Sequence, residues 1–193
     1  IKGHATGQQS LATNASSASG TNSVAMNASS ATNTQSFAVN NSTASGINSA
    51  STNKGTASGE NSISTNISTA TGVNSAALNN GNASGEGSVA MNYSKATGKG
   101  SVAIGLGTIA SGEYSLSHGH DTRANNHDSH AEGYGTNASG DQSHAEGIVT
   151  TTNGLASHAE GQGSTTGTNA TASHAEGSYT IANNESEHAQ GKY

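Results

Sequence analysis

The sequence contains no cysteine, no proline and no tryptophan. Without cysteine there can be no disulfide and no thiolate metal site, so neither staples the chain. Without proline, nothing interrupts a long run of backbone pairing. Aromatic residues make up 3% and hydrophobic residues 30% of the 193 positions, too little for the core of an ordinary globular domain of this length. Charge is scarce too. Charged residues make up 9%, the net charge is -6, and six Lys and Arg cannot form the basic patch that nucleic acid or anionic lipid requires. No apolar run approaches the length of a membrane span, so no direct membrane contact is expected. No signal-peptide pattern opens at Ile1 and the chain stops partway through a motif at Tyr193, so it reads as a piece of something longer. What remains is Ser, Thr, Asn, Gly and Ala, a composition that would mark disorder if position carried no information.

Position does carry information. Serines recur 13 apart from Ser10 through Ser23, Ser36, Ser49, Ser62, Ser75 and Ser88 to Ser101. The step then becomes 14 through Ser115, Ser129, Ser143 and Ser157, 16 to Ser173, and 14 again to Glu187, giving fourteen coils. Two places after this anchor every coil has Ala or Ser, so only a small side chain fits there. The places one and three after it carry bulk: Leu11, Val24 with Met26, Phe37 with Val39, Val89 with Met91, Val102 with Ile104. Small and large residues alternating with period two predict a strand with one face inside and one outside. Ala-Ser-Gly or Ala-Thr-Gly recurs later in the coil, with Asn33, Asn126 and Asn184 in place of the glycine, which predicts a corner at positive φ. Stacking such coils about 4.8 Å apart predicts an all-β fold, a parallel β-solenoid or β-roll of about fourteen coils of 13–16 residues. Its interior is too thin to bury the bulky column. That outward apolar stripe needs cover, and copies of itself around an axis supply it most simply.

The segment Ser101-Val102-Ala103-Ile104-Gly105, followed by Ala110-Ser111-Gly112, resembles the YadA-like head repeats of trimeric autotransporter adhesins. The resemblance runs in degenerate form over almost the whole chain. It implies a left-handed roll, three chains around one axis as an elongated homotrimer, and a place on a bacterial surface. Two departures stand out. Coils from Ser10 to Ser88 are one residue short and carry Asn14, Asn27, Asn40, Asn53, Asn66, Asn79 and Asn92 where the motif has Gly. Such asparagines could replace a lost backbone hydrogen bond with a ladder of side-chain amides, or simply tolerate a left-handed corner. The second departure divides the solenoid into 1–114 and 115–193: the later coils read Ser-His-Ala-Glu-Gly at Ser129, Ser143, Ser157 and Ser173. These also resemble repeats in phage fibres and appendages and in surface proteins of Gram-positive bacteria.

In those coils the bulky places hold His130, His144, His158, His174 and His188, paired with Glu132, Glu146, Glu160, Glu176 and finally Gln190. At a trimer axis, alongside the apolar column, they would need partners. Stacking places like over like, so pairing is expected to cross from one chain to the next, with His either as the charged partner or as a neutral donor to Glu. Three imidazoles around an axis would suit zinc, nickel or copper, but a site in every coil would set divalent ions about 4.8 Å apart, and the nearby Glu already serves the His. No metal and no cofactor is therefore expected. A nucleophilic Ser129, His130 and Glu132 set is excluded because neighbouring strand residues face opposite sides, and repetition argues against an enzyme.

The expected function is a trimeric cell-surface adhesin head or fibre segment that attaches to a host surface or extracellular-matrix protein. The alternative is a structural segment of a phage tail fibre or neck appendage. Partner contact would fall on lateral loops, with Tyr134, Asp141, Gln162 and Tyr179 as candidates and Gln162 to Gly167 as a protruding insertion.

Overall fold

The computed structural model describes residues 2–192; Ile1 and Tyr193, the two ends at which the chain was read as cut from a longer one, lie outside the described residues. The fold is a parallel β-solenoid of about fourteen turns, with no helix among the described residues. Each turn contributes one strand to each of two parallel sheets. The chain divides into two compact units, residues 1–92 and 93–193. In the first unit the register is 13 residues, as in Val24 on Phe37, Ala25 on Ala38 and Met26 on Val39, or Ser30 on Thr43 in the other sheet. In the second unit it is 14, as in His130 on His144 and Arg123 on Asn137, with one step of 16 from His158 to His174.

The interior is small side chains only. Ala25, Ala38, Ala77 and Ala90 are fully buried in one sheet of the first unit, and Ala18, Ala31, Ala44 and Ala57 in the other. Among the described residues no fully buried side chain is larger than threonine. The anchor serine closes a corner: Ser23, Ser62 and Ser101 donate Oγ at 2.7 Å to the carbonyls of Gly20, Gly59 and Gly98. Each such bond satisfies a buried hydroxyl and a turn carbonyl together. In the last coil Glu187 takes over by accepting from the backbone N–H groups of Asn183 and Asn184.

The corner chemistry departs from expectation. Glycines of the Ala-Ser-Gly type, such as Gly46, Gly59 and Gly72, do not have positive φ, and neither do Asn33, Asn126 and Asn184. What Gly59 supplies is room, since a Cβ there would overlap the carbonyl oxygen of Gly72 in the next coil. Positive φ falls instead on the residue before each anchor, from Gln9 and Asn22 through Tyr114 and Asp128 to Ser186.

The seven asparagines of the short coils do sit at positive φ, between 50° and 61°. They also form the amide ladder: Asn14 donates to Asn27 at 2.9 Å, Asn27 to Asn40 at 2.9 Å, Asn40 to Asn53 at 3.0 Å, and so on to Asn92. The ladder replaces nothing, because the N–H groups of Asn40 and Asn41 still donate to the carbonyls of Met26 and Asn27. In the 14-residue coils the strand runs on through a glycine, Gly133 or Gly147, at φ between 98° and 133°, where a Cβ would also strike the next glycine's carbonyl. Asn and Gly are thus not equivalent here: one takes a left-handed turn, the other an extended conformation open only to glycine. The insertion expected at Gln162 to Gly167 is regular, with strands His158–Gln162 and Thr165–Thr166. The two extra residues form the turn at 168–169, after which Ala170 fills the glycine place and accepts from Ser173 Oγ.

Candidate functional site

The outward face of the sheet that follows the anchor serines carries the candidate residues. In the first unit it is uncharged. Leu11, Val24, Phe37 and Val89 stand in one column, and Met26, Val39 and Met91 in the other. The same columns hold Ile63 and Leu78, whose places one after Ser62 and three after Ser75 are the signal that marks them. Leu11 is 50% exposed, Phe37 39% and Ile63 49%, so the bulk faces outward, as the alternation requires. In the second unit Val102 stacks on Leu116 and Ile104 on His118, both pairs half-buried.

Next in register, His130 follows Leu116 and Glu132 follows His118, so His118 belongs to the carboxylate column. The imidazoles of His130, His144, His158, His174 and His188 stack at 4.5, 4.7, 4.7 and 5.0 Å between centroids, with planes within 9° of parallel. The glutamates stack beside them. Contrary to expectation, imidazoles and carboxylates also meet within one chain: His144, His158 and His174 reach the carboxylate of the preceding coil, and His118, in the carboxylate column, reaches that of the following one. His118 lies 3.1 Å from Glu132, His144 3.6 Å from Glu132, His158 3.6 Å from Glu146, and His174 3.2 Å from Glu160. Within the glutamate column like charges meet, and a proton resolves the conflict. Hydrogen bonds to Glu132 and Glu160 push Glu146 up to about 7, while their bonds to Glu146 hold Glu132 and Glu160 below the usual carboxylate range.

Nor are these histidines the charged partners. Burial, and then the neighbouring imidazole, lowers His130, His144 and His158 below 6.5, so they are neutral near pH 7. Their Nε2 atoms are buried and, among the described residues, have no hydrogen-bond partner. Ser129 is on the other side of the strand and donates Oγ to the carbonyl of Asn126 at 2.6 Å, leaving it no contact with His130. Gln190 closes the carboxylate column above Glu176.

The four lateral candidates do not form one site. Tyr134 and Gln162 end strands rather than lying in loops, and share a column two coils apart. Tyr134 is half exposed and sets its ring edge against His120 at 5.0 Å between centroids. Asp141 is an exposed turn residue beyond the other sheet, and Tyr179 occupies a corner at φ 60°.

No protein-family model matches this sequence, and no curated protein matches it.

Proposed function

We propose that this chain is a segment of a trimeric adhesin head or fibre on a bacterial surface, a left-handed roll in which three copies close around the outward apolar and His/Glu columns. One observation carries the reading: among the described residues no fully buried side chain exceeds threonine, while Leu11, Phe37 and Ile63 point outward in register on an uncharged face. These side chains are already about half covered, so covering the rest stabilises by about 1 kcal/mol each, repeated wherever the column carries bulk and not at Ala50 or Ala76. The resemblance of Ser101 to Gly105 to trimeric adhesin repeats supports the number three and the handedness. Lateral groups such as Tyr134 and Tyr179 then face outward for weak, repeated contact with an extracellular-matrix or host-surface protein. No helix among the described residues is long and apolar enough to cross a membrane.

Two measurements on the producing cell test this reading. Immunogold labelling should decorate the outer surface of cells, and soluble chain should bind immobilised matrix proteins in a way that Tyr134→Ser and Tyr179→Asn weaken. Label confined to virions would assign the segment to a phage appendage instead.

A further inference from the structure

We infer that the His/Glu ladder of residues 118–188 binds divalent transition-metal ions, one to every two coils, with the protein ligands of each ion drawn from a single chain. Three ligand sets repeat along the ladder. The ligand-capable atoms of His118, His130 and Glu132 lie within 4.8 Å of one another, as do those of His144, Glu146 and His158, and those of His174, Glu176 and His188. Two imidazoles and one carboxylate form a donor set for zinc and its borderline neighbours, with a fourth position left for water. A second observation points the same way: the buried Nε2 atoms of His130, His144 and His158 lack a hydrogen-bond partner, and a buried ring nitrogen without one is costly.

Geometry sets the stoichiometry. Stacked rings 4.5–4.7 Å apart are too far apart to share an ion as they stand. Tetrahedral zinc with bonds of about 2.0–2.1 Å needs its two nitrogens about 3.3 Å apart. Closing that gap and turning each in-plane lone pair toward the shared ion takes a swing of some tens of degrees at each ring, chiefly about the broad χ2 torsion. His118 and His130 are already inclined by 29°. A ring that tips toward one neighbour moves away from the other, so loading pairs the rings two by two. Six imidazoles therefore take three ions, with Glu160 outside the ligand sets. Pairing also removes the objection to a metal in every coil. Ions two coils apart are separated by about 9.6 Å, twice the spacing that a site in every coil would impose, which halves their repulsion. Calcium and magnesium, which prefer oxygen ligands at higher coordination number, fit poorly.

The test is equilibrium dialysis of the full chain, stripped with chelator, against micromolar Zn²⁺ with excess Mg²⁺, and metal counted by mass spectrometry. Three zinc ions per chain are expected, and Co²⁺ in place of Zn²⁺ should give the visible absorption of a tetrahedral site. A combined His130→Gln, His158→Gln and His188→Gln variant leaves His118, His144 and His174 two coils apart, unable to pair, and should lose all three ions. His144→Gln alone should keep two. Circular dichroism checks that the variants fold, and the wild-type count decides the matter even if they do not. One zinc per three chains in each coil, about five per chain, or none above a Mg²⁺-like background would overturn the inference. The assembly mass, read in parallel, reports separately on the trimer, because a monomer carrying three ions would refute that reading and leave this one intact.

Discussion

The imidazole of His130 lies 4.5 Å from that of His144 in the coil above, with ring planes 1° from parallel. Two cations cannot hold that arrangement cheaply, so the stack is a stack of neutral rings, and acid is its natural disruptor.

The pH dependence follows in sign. His130, His144 and His158 have folded values below 6.5, so the unfolded chain takes up protons first and stability falls as pH drops from about 6.5 through the lowered values. Glu132 and Glu160, also lowered, add to the loss below about 4.5. Glu146, raised to about 7, acts in reverse: its contribution is complete below 4.5 and fades as pH rises toward 7. The two act in opposite directions across the shared window, so the histidine part is read as the difference between wild type and a variant that lacks it. Chelator-treated protein melted from pH 4 to 8 should lose more Tm below about 6.5 than a His144→Leu, His158→Leu variant. Equal slopes would contradict neutral stacking.

The amide ladder separates from the left-handed turn by substitution at Asn53. Asn53→Gly keeps the turn and removes two amide bonds, so it should cost about 1–2 kcal/mol. Asn53→Ala loses the ladder and also takes a φ of 52° that costs a further 1–2 kcal/mol or so. Urea melts that rank the two alike would show that the ladder carries the whole effect.

Two β-branched residues sit where the backbone is left-handed: Ile67 at φ 59° and Val149 at φ 55°, with side chains 61% and 55% exposed. Neither gains much burial in return. Ile67→Asn and Val149→Gly should each raise stability by about 1 kcal/mol in chemical denaturation. Destabilisation by either would mean that these side chains pack against a partner.

A charge placed on the proposed interface should act unlike one placed on the other sheet. Val102→Asp should raise the concentration at which the assembly dissociates by tenfold or more, and Lys95→Asp, an exposed residue of the second sheet, should leave it nearly unchanged. Equal effects in analytical ultracentrifugation would move the interface elsewhere.

The solenoid was legible in the sequence because its two constraints are strict. Ala or Ser at Ala25, Ala38 and Ser51 records an interior with no room, and the 13-residue step records the stacking register. The outward columns followed from period two. Corner conformations were less legible, because glycine answers to two demands. Gly59 is required by the approach of Gly72 and Gly133 by its φ of 108°, and the letter alone does not distinguish them. The His/Glu contacts within one chain were not legible, because a one-dimensional column shows only like over like. The diagonal reach from His144 to Glu132 depends on side-chain length across two columns, which repeat spacing does not encode.

The central claim is that the outward columns are covered by two further copies of the chain. Sedimentation equilibrium at micromolar concentration, with strand content followed by circular dichroism, tests it most directly. The account predicts a folded species at three times the 18.9 kDa of one chain. A folded, monodisperse species at the mass of a single chain, with Leu11, Phe37 and Val102 left in water, would contradict it.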